Sequence, residues 1–359
     1  MPFEPPSSID EARFESACAT ACTLFNIPEV RKFQRDAARQ TILGHDLLLG
    51  APSTGAGKTL IFVLPLLYYW TPGQTETENR KTIFVMGPLS ALLQAQANEF
   101  TQKGIPSIAL TGRTPNLRSA MEACGQGDFC VVFAGPEMAK SAEFRRAVLT
   151  ETFLKSLISA VTDEAHTLTK WVDFRPEFAD VPGFLRKAIP SGVPMAAMSA
   201  TLPQEVVADI KQKVGFGENV ARIELSNSKP NIALSVRIMQ HSEESLADLM
   251  SLIPHDATTP EDIPQTIIYT KTRQEAHRVQ DFLRRNCAGR FPANIFEFYE
   301  SKVGDRAKER IEKQLETGEL RIVIATKALG MVIYLLVCGL FRYTYGHCRD
   351  STILLSPGS

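Results

Sequence analysis

The segment Pro52-Ser53-Thr54-Gly55-Ala56-Gly57-Lys58-Thr59 combines small residues, a lysine and a hydroxyl in an order suited to holding phosphate. Small residues let backbone N–H groups approach phosphate oxygens, while Lys58 reaches the β- and γ-oxygens and Thr59 offers a hydroxyl to Mg²⁺. Further along, Asp163-Glu164-Ala165-His166 closes the apolar run Leu157–Val161, which reads as a buried parallel strand. An acidic pair at the tip of such a strand can hold Mg²⁺ through Asp163 and orient an attacking water through Glu164. Pro52 stands where such a loop usually opens on Gly or Ala. The order and separation of the two motifs imply a site for a nucleoside triphosphate with Mg²⁺.

Around these residues the chain must supply a parallel sheet. Its 359 residues suggest about two domains. Hydrophobic residues make up 44% and charged residues 22%, ordinary proportions for a globular chain with a full core. The net charge of −1 provides no overall basic field, so a nucleic-acid partner has to be held by local arrangements. The seven cysteines (Cys18, Cys22, Cys124, Cys130, Cys287, Cys338 and Cys348) form no CxxC pair. They read as reduced intracellular thiols, and no structural zinc is expected. The start, Met1-Pro2-Phe3-Glu4-Pro5-Pro6, carries acid and proline where a signal peptide needs base and an apolar run, so an intracellular protein is expected.

Short apolar runs alternate with helical patterns up to about residue 225. The predicted strands are Asp46–Leu49, Thr82–Met86, Ser107–Leu110, Phe129–Phe133, Leu157–Thr162, Pro194–Met198 and Arg222–Leu225, with a helix at Leu89–Gln102. Such alternation indicates a parallel sheet wrapped by helices. Residues 71–81 read as a polar loop, and Ser226–Asn231 as a linker. A second alternating unit follows. Its predicted strands are Ala233–Ile238, Thr266–Tyr269, Asn294–Phe298 and Leu320–Ala325, with helices Ser245–Ile253, Arg273–Asn286 and Arg306–Glu316.

Taken together, these motifs resemble those of superfamily 2 helicases, and specifically the RecQ family of DNA helicases. The resemblance runs from about Phe25 to Ile333. It begins with Phe25–Gln34, similar to the family's adenine-reading motif, in which Gln34 would contact the adenine edge and Arg31 would stack on the base. Gly87-Pro88-Leu89-Ser90 matches the motif that grips single-strand phosphates in the family. Ala134-Gly135-Pro136-Glu137 corresponds to its next strand-end motif, and Ser199-Ala200-Thr201 to the triplet linking ATP state to lobe closure. Trp171–Phe178 resembles the family's aromatic-rich loop, shortened by one residue. Trp171 and Phe174 would stack on unpaired bases while Arg175 binds phosphate.

The resemblance implies an α/β fold of two RecA-like lobes, parallel sheets flanked by helices, with the second lobe incomplete. The expected layout is an N-terminal extension (1–24), lobe 1 (25–225), a linker (226–231), a partial lobe 2 (232–333) and a divergent tail (334–359). Leu320–Met331 looks like the motif that contacts nucleotide and DNA backbone, with Gly330 in the nucleotide site. Two departures stand out: Tyr299-Glu300-Ser301-Lys302 replaces Tyr-His-Ala-Gly, and Val332 replaces a Gly that allows close backbone approach. Beyond Ile333 the family continues to a motif that delivers an arginine finger to the γ-phosphate. Here Arg342 and Arg349 lie in no matching context. The run Met331–Phe341 is far shorter than the ~20 apolar residues of a membrane span. It reads as a terminal strand, or as the product of a truncated or misjoined coding sequence.

The implied function is an ATP-dependent DNA helicase core acting 3′ to 5′ on single-stranded or forked DNA, with a nuclear location if the source is eukaryotic. The catalytic set is Lys58, Asp163, Glu164 and His166. The nucleotide set is Arg31, Gln34, Ser53, Thr54, Gly55, Ala56, Gly57, Lys58, Thr59 and Gly330, and Mg²⁺ falls to Thr59 and Asp163. Pro88, Leu89, Trp171, Phe174, Arg175, Ser199, Ala200 and Thr201 are expected to bind DNA or couple it to ATP. Two alternatives stay open: a non-catalytic remnant that binds ATP and DNA, and an RNA helicase of the DEAD/DEAH groups.

Overall fold

The computed structural model describes residues 3–51, 57–74, 80–170, 177–200, 202–226, 232–300, 303–326, 340–344 and 351–357. The chain divides into two units, Met1–Asn227 and Ser228–Ser359.

The first unit is built on seven parallel strands: β1 (Leu47–Gly50), β2 (Thr82–Met86), β3 (Ser107–Leu110), β4 (Val131–Ala134), β5 (Leu157–Thr162), β6 (Met195–Ser199) and β7 (Ala221–Glu224). Their order is β3-β4-β2-β5-β6-β1-β7. The five central strands are buried along their whole length, as expected of a sheet covered by helices on both faces. Only the edge strand β7 alternates between half-buried and exposed positions. The register brings the carboxyl ends of the central strands level. Gly50 pairs with Ser199, Thr162 with Ala197 and Met86, and Met86 with Ala134. The motifs that follow β1, β2, β4, β5 and β6 therefore leave the sheet along one edge.

Sequence reasoning gave no fold to residues before Phe25, and here the structure adds a helix, Glu11–Phe25. Asp10 caps it by accepting a hydrogen bond from the Arg13 N–H at 3.1 Å. Asn26 ends it in the left-handed conformation, its N–H turned back to the carbonyls of Cys22 and Thr23. Phe14, Ala17, Cys18 and Ala21 are buried on one face. Ahead of the helix, Phe3 stacks edge-on against Tyr69 at 5.2 Å, and Pro5 lies over Gly44, where a Cβ would come within 2.5 Å of its ring. The extension is thus part of the first unit's core.

The second unit carries a six-stranded sheet in the order β10-β11-β9-β12-β13-β8. These strands are β8 (Ile232–Ile238), β9 (Thr266–Tyr269), β10 (Phe296–Tyr299), β11 (Ile322–Ala325), β12 (Leu340–Thr344) and β13 (Ser351–Pro357). β13 runs antiparallel to both neighbours, and the pairings among β10, β11, β9 and β12 are parallel. The divergent tail therefore supplies two strands. The expected Met331–Phe341 strand falls on residues outside those described, except for Leu340 and Phe341, which open β12.

Two expectations need correction. The helix expected at Ser245–Ile253 is instead two short 3₁₀ turns, Glu243–Ser245 and Ala247–Leu252. Leu246 between them takes a left-handed φ of 56°, and the hydroxyls of Ser245 and Ser251 donate to nearby carbonyls in competition with helical bonds. The strand expected at Asn294–Phe298 starts two residues later, because Ala293–Ile295 forms a 3₁₀ turn after Pro292.

Candidate functional site

The phosphate loop leaves β1 and runs into the helix Leu60–Tyr69, whose residues Leu60–Tyr68 are all buried. An apolar helix of this kind is fixed in place by packing on every side, which holds Lys58 and Thr59 at its start. Gly57 has φ +74°, and a Cβ there would stand 2.5 Å from Nε2 of Gln34. The positive φ favours glycine, and a side chain there would also press on Gln34. Ser53, Thr54, Gly55 and Ala56 lie outside the described residues.

Gln34 is almost fully buried and joins two parts of the site. Its Nε2 donates to the Gly57 carbonyl at 2.9 Å, and its Oε1 accepts from the Arg31 N–H at 2.8 Å. The side chain expected to read adenine thus also ties the helix Lys32–Ile42 to the phosphate loop. Arg31, at the start of that helix, is exposed.

β5 ends in a tight turn that presents the acidic pair. The Asp163 N–H continues the ladder to the Met86 carbonyl at 2.8 Å, and the Ala165 N–H reaches the Met198 carbonyl at 2.8 Å. Between them Glu164 takes φ 49°, unusual for a side-chain-bearing residue. The turn is held by Thr167, whose N–H and hydroxyl both donate to the Glu164 carbonyl, at 2.9 and 2.8 Å. Strain of this sort persists only where the surroundings fix it, and it aims the Glu164 carboxylate at the phosphate loop.

Four side chains from three loops meet there. Nζ of Lys58 donates to Oε1 of Glu164 at 3.4 Å. Nδ1 of His166 lies 3.2 Å from Oε2 of Glu164 and 3.0 Å from Oγ of Ser199, which is buried at the end of β6. Burial pushes the Glu164 carboxyl up, but the adjacent His166 imidazole and the Lys58 charge outweigh it, so the group sits below the usual glutamate range. For Asp163, burial dominates and raises the carboxyl, with the Glu164 charge adding to it and Lys58 opposing. A divalent cation beside Asp163 would restore its charged form. No cluster of three or more acidic, His or Cys ligands exists among the described residues. One carboxylate and one hydroxyl are what Mg²⁺ uses when phosphate oxygens and water complete its shell, so the donor set fits that ion.

Of the remaining predicted residues, those described follow the ends of β2 and β6. Pro88 and Leu89, half-buried, follow β2 and lead into the helix Ser90–Gln102. Ala200 follows Ser199. Trp171, Phe174, Arg175, Thr201 and Gly330 lie outside the described residues.

Sequence reasoning missed one pair. Thr169 donates to Oδ2 of Asp209 at 2.6 Å, and Lys213 donates to the same oxygen at 2.5 Å and to the Leu168 carbonyl at 2.9 Å. These contacts pin the short helix Thr167–Lys170 to the helix Gln204–Val214. The Asp-to-Lys spacing of four was the available signal.

A model of the DEAD/DEAH box helicase family matches residues 31–210. The ATP-dependent helicase SGS1 of Saccharomyces cerevisiae is 26% identical over 318 residues, covering 86% of this chain and 20% of that protein. The ATP-dependent DNA helicase RecQ of Bacillus subtilis is 25% identical over 314 residues, covering 86% of this chain and 48% of the relative. The chain thus spans between a fifth and a half of these relatives' length. Among solved structures, a DUF1998 helicase, MrfA, bound to DNA and AMPPNP superposes with a TM-score of 0.66 at 20% identity. That match covers 94% of this chain and 46% of the other, and it speaks for the fold.

Proposed function

This chain belongs to the DEAD/DEAH box helicase family, and we propose that it is the ATP- and DNA-binding core of a RecQ-like DNA helicase. The observation that carries the reading is Lys58 set against Glu164 at 3.4 Å, on the carboxyl edge of a parallel sheet. Ligands of open α/β sheets bind outside that edge.

In this reading ATP lies along the strand ends. Arg31 and Gln34 meet the adenine, residues Ser53–Gly57 cradle the phosphates and Lys58 moves onto the β- and γ-oxygens. Thr59 and Asp163 hold Mg²⁺, which when bound neutralises charge on the phosphates. The ionised Glu164 orients the attacking water and takes its proton. His166 holds Glu164 and at the same time meets Ser199, so a change at the nucleotide is felt at the end of β6. By resemblance, Gly330 is counted with the nucleotide set. Pro88, Leu89, Ser199–Thr201 and the Trp171, Phe174 and Arg175 side chains engage single-stranded DNA. Polarity from 3′ to 5′, action on forked DNA, and roles in recombination and repair in a nucleus extend the proposal by resemblance. Residues 334–359 carry no recognisable arginine-finger context, so the same reading expects slow hydrolysis.

The test is linkage. A fluorescent ATP analogue is titrated with and without single-stranded DNA, duplex DNA and single-stranded RNA. Coupling of nucleotide and DNA sites must be reciprocal. A shift in analogue affinity produced by single-stranded DNA and weakly by duplex or RNA is expected. An affinity indifferent to all three contradicts the proposal, and a shift confined to RNA favours the RNA-helicase reading.

A further inference from the structure

The helix Glu11–Phe25 grips both the helix Lys32–Ile42 and the helix Leu60–Tyr69. On the helix Lys32–Ile42, Arg39 forms two hydrogen bonds with the Glu11 carboxylate, at 2.5 and 2.6 Å, and Arg35 pairs with Glu15. Both guanidinium groups also lie over the ring of Phe14, that of Arg39 4.2 Å and that of Arg35 5.3 Å from its centroid. On the helix Leu60–Tyr69, Tyr68 accepts a hydrogen bond from the Asp10 N–H at 3.1 Å, and Arg13 lies 5.0 Å from its ring centroid. Phe14 is fully buried between these elements.

Among the described residues, Gln34 on the helix Lys32–Ile42 donates to the Gly57 carbonyl just ahead of the helix Leu60–Tyr69, and at the helices' other ends the Tyr69 hydroxyl donates to the Ile42 carbonyl at 3.1 Å. Arg35 follows Gln34 directly, and Arg39 sits one turn further along the same helix. Displacing these arginines would move Gln34 relative to Gly57. We propose that the helix Glu11–Phe25 is a bracket that sets the base-reading helix over the phosphate loop, making Glu11, Phe14 and Glu15 positioning residues for nucleobase selection. The proposal rests on the nucleotide reading above. Glu11 and Glu15 are exposed enough for substitution without opening the core.

The full chain and its Glu11→Gln/Glu15→Gln variant are titrated with a fluorescent ATP analogue and competed with ATP, GTP and inorganic tripolyphosphate, each with Mg²⁺. Tripolyphosphate reads the phosphate loop alone. In the variant the preference for ATP over GTP should fall about threefold to tenfold, the scale expected for two charge pairs acting on one helix. Tripolyphosphate affinity should not change. A second variant, Phe14→Leu, keeps the core apolar, removes the aromatic face and should shift the preference in the same direction. A lowered melting temperature with an unchanged ATP:GTP ratio would assign the helix a structural role only and overturn the proposal. Equal weakening of all three ligands, or a wild type without base preference, would overturn it too. Absence of saturable ATP binding in the wild type would remove the nucleotide reading beneath it, an outcome distinct from the others because they leave wild-type binding intact.

Discussion

Nδ1 of His166 stands 3.0 Å from Oγ of Ser199 and 3.2 Å from Oε2 of Glu164, so one imidazole spans the ends of β5 and β6. Neither Glu164 nor Ser199 is within reach of the other's motif in sequence. The parallel pairing of Ala160–Thr162 with Met195–Ala197 brings them together. Replacing His166 by Ala should leave ATP-analogue affinity within about twofold while removing its response to single-stranded DNA, since the residue links strand ends and holds no phosphate. Titration with and without DNA checks this, and an undiminished response in the variant excludes the imidazole as the link.

Trp171→Ala should weaken single-stranded DNA binding about tenfold, because each stacked base contributes roughly 1–3 kcal/mol. Anisotropy at a fixed salt concentration is the measurement, as phosphate contacts make affinity salt-dependent. A lowered melting temperature with unchanged DNA affinity would instead place Trp171 in a core.

DNA-stimulated ATP turnover should be low. On the proposed reading the first unit supplies the phosphate-binding and water-orienting groups, but the arginine that contributes roughly 10³–10⁵ in rate in phosphoryl-transfer enzymes has no recognisable counterpart in residues 334–359. A steady-state assay with saturating single-stranded DNA and a Glu164→Ala blank decides. Turnover of several per second, on the ordinary scale for such enzymes, that vanished in the blank would mean that Arg342, Arg349 or another group supplies the charge.

Alkaline pH should destabilise the first unit through two buried thiols. Burial pushes Cys124 and Cys130 up to about 12 from an ordinary 9.0. Their stabilisation is complete below pH 9 and is lost as pH rises from there through 12, because the unfolded thiols ionise first. Each contributes a slope of up to about 1.4 kcal/mol per pH unit in that window. Denaturant unfolding of the chain and of a Cys124→Ala/Cys130→Ala variant at pH 8 to 11 should give a shallower decline in the variant. Parallel declines would contradict the assignment.

Much of the first unit could be read in the sequence for a physical reason. Strands covered on both faces are continuous apolar runs, and Thr82–Met86 and Leu157–Thr162 have the bounds expected, as does the half-buried edge strand Ser107–Leu110. Thr266–Tyr269 and Arg273–Asn286 in the second unit do as well. What escaped depends on contacts between distant residues. The bracket of Glu11, Phe14 and Glu15 against Arg35 and Arg39 leaves no periodic trace stronger than any amphipathic helix. The pinning of Thr169 by Asp209 exists only once the two helices pack. The 3₁₀ turns at Glu243–Leu252 reflect serine hydroxyls competing for carbonyls, which apolar spacing does not register. Of the candidate site, types and order were legible in the sequence, while the tie of Gln34 to Gly57 and the strained φ of Glu164 were not.

The central claim is that Lys58, set against Glu164 at the mouth of the sheet, binds the phosphates of ATP. Equilibrium titration of the full chain with a fluorescent ATP analogue and Mg²⁺, wild type against Lys58→Ala, tests it most directly. Saturable binding in the wild type that is mostly lost in the variant, with the melting temperature preserved, is the predicted result. Equal affinity in the two proteins would contradict the account.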